Sequence, residues 1–135
     1  MKDSQRRVRI QWTETAKNCL KRLPKKVRAG LLDKADELYT CSDPRQAHKP
    51  LVGPLAGYYR ITYSRYRAIY SVETDEIANG DSLVTVTILF VAAGIRKEHS
   101  REDVYKVAQK IVEMGLIDLG PTTNPEESND KERNP

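Results

Sequence analysis

Apolar and polar residues alternate near the start of the chain. In Arg7-Val8-Arg9-Ile10-Gln11-Trp12 every second residue is apolar, which places Val8, Ile10 and Trp12 on one face and predicts a half-buried strand. The period then changes to that of a helix. Thr13 stands where a helix cap is needed, and Ala16, Cys19, Leu20 and Leu23 follow at helical spacing until Pro24 interrupts them. Pro24 suits the first turn of a second helix, whose apolar stripe is Val27, Leu31, Leu32, Ala35, Leu38 and Tyr39. Two helices joined at Leu23-Pro24 predict an α-hairpin. From Cys41 to Gly57 the periodicity gives way to Pro44, Pro50, Gly53, Pro54 and Gly57, the composition of a loop.

Alternation returns in Tyr59-Arg60-Ile61-Thr62-Tyr63 and again from Tyr66 to Val72, with Ser64-Arg65 as a tight connection. Glu73 to Ser82, which contains Asn79-Gly80-Asp81, reads as a polar hairpin loop. The β-branched run from Leu83 to Ala93 is the expected central strand. Ser100-Arg101-Glu102-Asp103 resembles a capping box and predicts that the last helix starts there, with Val104, Ala108, Ile111 and Val112 as its stripe and Gly115 as its stop. The fold class is therefore α+β: an N-terminal strand, an α-hairpin, an antiparallel β-meander and a C-terminal helix. One domain is expected over residues 1–117. Residues 118–135 carry three prolines and no pattern able to pack, and are expected to form a disordered polar tail.

Composition narrows the class. A chain of 135 residues can bury one core without disulfides or metal. No stretch is apolar enough to span a bilayer and no signal region follows Met1, so no membrane partner and a cytoplasmic location are expected. Cys19 and Cys41 lack the spacing of a metal or redox motif and read as reduced, structural residues. The formal charge is +4, but the tail holds five acids and two bases, so residues 1–117 carry +7. Such a domain favours a polyanionic partner through counterion release.

Several short motifs recur in a specific order: Leu51-Val52-Gly53, Tyr59-Arg60-Ile61, Tyr66-Arg67-Ala68-Ile69-Tyr70, Val91-Ala92-Ala93-Gly94-Ile95-Arg96-Lys97 and Asp103-Val104-Tyr105. Together, over residues 7–115, they resemble the RelE/ParE toxin superfamily of type II toxin-antitoxin systems. The resemblance to its RNA-cleaving branch implies a metal-independent endoribonuclease without cofactors, acting on messenger RNA and associated with the ribosome, and a cognate antitoxin as protein partner. Carried over by motif position, Arg67 would stabilise the phosphate, Arg96 would serve the leaving group, and Tyr105 would be the base or its positioner. Arg60 would contact phosphate, and Lys97, His99 and Arg101 would extend the RNA-binding rim. Thr62 stands where that branch often has a second lysine, and Val52 where an arginine commonly precedes the glycine.

Other readings stay open on the sequence. Arg67 would equally serve as an ion-pair partner for Glu73 or Asp75. Tyr105 would pack at a helix edge beside Val104 and Ala108. His48 and His99 suit proton transfer near neutral pH, or are solvated loop residues. A gyrase-inhibiting toxin of the ParE branch, or a non-catalytic binding module of the same fold, would need no set of arginines and tyrosine.

Overall fold

The computed structural model describes residues 5–41, 45, 50–79, 81–115 and 117. His48 and the expected tail, residues 118–135, lie outside the described residues. Strand β1 (Gln5–Trp12) leads into helices α1 (Glu14–Lys21) and α2 (Lys25–Asp36). Strands β2 (Tyr58–Tyr63), β3 (Tyr66–Asn79) and β4 (Asp81–Ile95) follow, and helix α3 (Val104–Glu113) comes last. The four strands form one sheet in the order β1-β4-β3-β2. Its meander is antiparallel, whereas β1 runs parallel to β4.

The alternation in β1 does what its period requires. Ile10 is buried, Val8 and Trp12 pack beside it, and the Trp12 ring stacks on Phe90 of β4 with centroids 4.2 Å apart. Thr13 then ends the strand and caps the helix at once. Its backbone N–H donates to the Phe90 carbonyl, and its fully buried hydroxyl accepts from the Ala16 N–H, both at 3.0 Å. Helix α1 stops before Pro24, which occupies the cap position of α2. The two helices are clasped by Arg28, whose Nη1 donates to the Lys21 carbonyl. Leu20, Val27, Leu31, Ala35 and Leu38 enter a core with Ile61, Tyr70, Ile88 and Phe90 on one face of the sheet. Helix α3 closes the other face through Val104, Ala108 and Ile111 against Ile69, Val91 and Ala92.

Two expectations are corrected. Residues 73–82 are not a polar hairpin loop, because β3 and β4 stay paired from Glu73↔Thr87 out to Asn79↔Asp81. The last helix begins at Val104, not at Ser100, and its cap is Asp103. Ser100 closes a turn instead, its hydroxyl accepting from the Glu102 N–H at 3.0 Å.

The pairing of β3 with β4 also shifts between Ile69↔Ala92 and Tyr70↔Phe90, leaving Val91 as an extra residue. Such a bulge bends and twists its strand. Val91 and Ala92 consequently both lie in the α3 core, and beyond them the strand carries Gly94 toward Arg96.

Candidate functional site

Strand periodicity places the first members of the site. Arg60 pairs with Ile69, and Arg67 pairs with Thr62 on one side and Gly94 on the other. Ile69 and Ala92 are buried beneath α3, so residues two positions along these strands share that face. Arg60, Thr62 and Arg67 therefore stand on the α3 side of the sheet. A Cβ on Gly94 would sit 3.5 Å from the Val104 side chain, an ordinary contact, so the helix approach does not depend on glycine there.

Tyr105 lies in the first turn of α3 and reaches back to β2, where its hydroxyl oxygen accepts from Arg60 Nη1 at 2.7 Å. The Arg96 guanidinium lies 4.9 Å from the centroid of the same tyrosine ring, a cation–π distance. Arg96 is held from two further directions. Its Nη1 donates to Asp103 Oδ1 at 2.7 Å, and its backbone N–H donates to the Arg65 carbonyl at 2.7 Å. A longer contact, 3.4 Å, joins Nη2 to exposed Glu98. Arg60, Tyr105, Arg96 and Asp103 thus form one connected chain of side chains.

The charges within it are fixed by their surroundings. Burial alone would raise the Asp103 carboxyl, but hydrogen bonds from Arg96 and from the Lys97 N–H hold it below its ordinary value. The hydrogen bond to Asp103 in turn raises Arg96 above its already high value, against a smaller opposing effect of burial. Both groups are ionised at neutral pH.

Arg67 occupies the same face without joining this chain. Its Nη1 donates to the carbonyls of Ser64 and Tyr66, each at 3.1 Å, and its buried Nε has no partner among the described residues. It makes no ion pair with Glu73 or Asp75 among them. Lys97 is exposed and its ammonium lies 4.0 Å from Glu102. His99 and Arg101 are exposed in the turn between β4 and α3, His99 with a left-handed φ of 65°. No hydrogen bond or ion pair joins either to the four connected residues. Val52 is 81% exposed, and Thr62 is exposed opposite Arg67.

Asp103 is the member that sequence reasoning did not single out as a site residue. Its signal was present, since an aspartate directly before an amphipathic run is a strong cap candidate. Among the described residues no group of three His, Cys, Asp or Glu side chains is placed to hold a metal ion, and no helix is long and apolar enough to cross a membrane.

A family model described as the ParE toxin of type II toxin-antitoxin systems matches residues 10–88. The chain belongs to this family. Arg60 and Arg67 fall within the matched residues, whereas Arg96, Asp103 and Tyr105 lie beyond them. Two solved structures are similar at 24% identity and a TM-score of 0.49 each. In the RelBE2 toxin-antitoxin complex of Mycobacterium tuberculosis, the likeness covers 65% of this chain and 96% of that one. In the isolated Escherichia coli RelE toxin it covers 80% and 98%. No curated protein matches the chain. Family membership makes it a toxin of a type II toxin-antitoxin system, in agreement with the resemblance to the RelE/ParE superfamily.

Proposed function

We propose that this ParE-family toxin is a metal-independent endoribonuclease that cleaves messenger RNA on the ribosome and is neutralised by a cognate antitoxin. The observation that supports it best is the Arg60-Tyr105-Arg96 arrangement, in which two guanidinium groups flank one phenol.

In the reaction, the 2′-hydroxyl oxygen bonds to the adjacent phosphorus and the bond to the 5′ oxygen breaks. A cyclic phosphate and a free 5′-hydroxyl result. The step requires removal of the 2′ proton, stabilisation of the charge on the phosphorane, and relief of charge on the departing oxygen. Tyr105 is assigned as base or base-positioner, with Arg60 donating to its oxygen. Arg67 and Arg60 stabilise the phosphorane through their guanidinium groups. Arg96, whose hold on its protons is strengthened by Asp103, serves the leaving oxygen as a hydrogen-bond donor, and the proton that completes the 5′-hydroxyl is taken from solvent water. Lys97, His99 and Arg101 form an exposed rim that RNA would meet first.

A second reading is inhibition of gyrase, favoured by the ParE family match itself. Expression of the chain in cells separates the two. Site-specific messenger RNA ends, lost with Arg67→Ala and Arg96→Ala, support the nuclease. DNA breaks and loss of supercoiling with intact messenger RNA support the second reading.

A further inference from the structure

Asp103 is a charged side chain in the interior, only 3% exposed, and its environment exceeds what a helix cap needs. Capping requires one acceptor for one N–H, a task that serine or asparagine performs about as well. Here the two carboxylate oxygens divide their work. Oδ2 accepts from the Tyr105 N–H at 3.3 Å and thereby caps α3. Oδ1 accepts from Arg96 Nη1 at 2.7 Å and from the Lys97 N–H at 2.6 Å, at the far end of the turn that leaves β4.

We propose that Asp103 is a positioning residue of the nuclease site, one carboxylate that fixes Arg96 through Oδ1 and the Tyr105 backbone through Oδ2. This rests on the nuclease reading above. Arg96 belongs to the segment just after β4 and Tyr105 to α3, and the turn between them contains exposed Glu98, His99, Arg101 and Glu102. A long arginine at the mouth of such a turn would sample many rotamers. The ion pair removes that freedom and sets the guanidinium over the tyrosine ring before substrate arrives. Only an ionised carboxylate can do this, because an amide offers one acceptor oxygen and would face Arg96 or Tyr105 N–H with a second donor.

Asp103→Ser separates the two tasks, since it retains a cap acceptor but is too short to reach Arg96. Single-turnover cleavage of ribosome-bound messenger RNA would be compared for the wild type, Asp103→Ser, Arg96→Ala and the double variant, with melting followed by circular dichroism. The expected result is a folded variant whose single-turnover rate constant falls about 10- to 100-fold with the half-saturating concentration changed by less than about threefold. The same change made in the Arg96→Ala background should produce no further loss. Wild-type cleavage by Asp103→Ser, or an equal loss in the Arg96→Ala background, would overturn the proposal. The Arg96 side-chain 15Nε resonance gives a readout independent of activity. It should be resolved from those of exposed arginines in the wild type and merge with them in Asp103→Ser; an unchanged resonance overturns the proposal. If the wild type itself cleaves no RNA, the nuclease reading fails while this resonance still decides whether Asp103 holds Arg96. Should Asp103→Ser not fold, Asp103→Asn, an equally good cap, takes its place in each measurement with the same outcomes.

Discussion

Gly30 offers a test of how the α-hairpin supports the site. It lies on α2, and a Cβ added to it would fall 2.5 Å from Tyr63 Cδ1 and 2.7 Å from Tyr63 Cζ, closer than real Cβ contacts allow. The obstacle is an aromatic ring wedged between α2 and the end of β2, so the ring or the helix must move. Overpacking of this kind costs about 1–3 kcal/mol. Against it stands the gain of replacing glycine in a helix interior, about 1 kcal/mol. The net expectation for Gly30→Ala is a loss of about 0–2 kcal/mol, a fall of up to roughly 1 M in the urea midpoint for a domain of this size. Activity should fall too, because Tyr63 leads directly into Ser64-Arg65, and the Arg65 carbonyl receives the Arg96 N–H. Urea unfolding followed by circular dichroism measures the first effect. Placed in a Tyr63→Ala background, Gly30→Ala should become stabilising by about 1 kcal/mol, since only helix propensity remains. A rise in midpoint with Gly30→Ala alone would refute the packing argument.

Further outcomes follow from particular residues. The Asp103 carboxyl is lowered in the folded protein, so its stabilising contribution is present above the unfolded value near ~3.9 and is lost as pH falls through the lower folded value. The stability gap between wild type and Asp103→Asn should accordingly narrow on acidification below about pH 4, as read from urea midpoints. Tyr70 is fully buried and its hydroxyl is raised, first by desolvation and then by nearby Cys41 and Tyr59. Its stabilising effect is complete below the unfolded value of ~10 and declines above it, so alkaline unfolding should be later in Tyr70→Phe if the replacement packs equally well. Ultraviolet titration of phenolate, compared between wild type and Tyr70→Phe, should show Tyr70 ionising only with unfolding. His99→Gly relieves a left-handed residue and should leave thermal stability equal or higher by up to about 1 kcal/mol, whereas His99→Val should lower it.

Much of the fold was legible because period and burial agree. The strand at Arg7 to Trp12, the hairpin broken at Pro24 and the alternating strands around Ser64-Arg65 all have one face in a core, and that face leaves its period in the sequence. The outer half of the β3-β4 ribbon was not legible. Glu73, Thr74 and Asp75 are exposed, so no apolar alternation marks them, and the polar composition of a loop and of a solvated strand is the same. The parallel pairing of β1 with β4 joins residues such as Ile10 and Ile88 that no local pattern connects. In the site, motif order brought forward Arg60, Arg96 and Tyr105, which the fold does gather, and also Arg67, which shares their face but not their contacts. Asp103 escaped notice as a site residue because its importance lies in two hydrogen bonds to residues six and seven positions earlier, a turn geometry rather than a periodicity.

The proposed nuclease surface consists of Arg60, Arg67, Arg96 and Tyr105. Mapping of messenger RNA 5′ ends in a purified translation system tests it most directly. Wild-type protein should generate discrete new ends within ribosome-bound message in the presence of a metal chelator that leaves the ribosomes assembled. Arg96→Ala and Tyr105→Phe should lower their yield at least about tenfold, while both variants remain folded. Intact message with the wild type, or undiminished cleavage by both variants, would contradict the account.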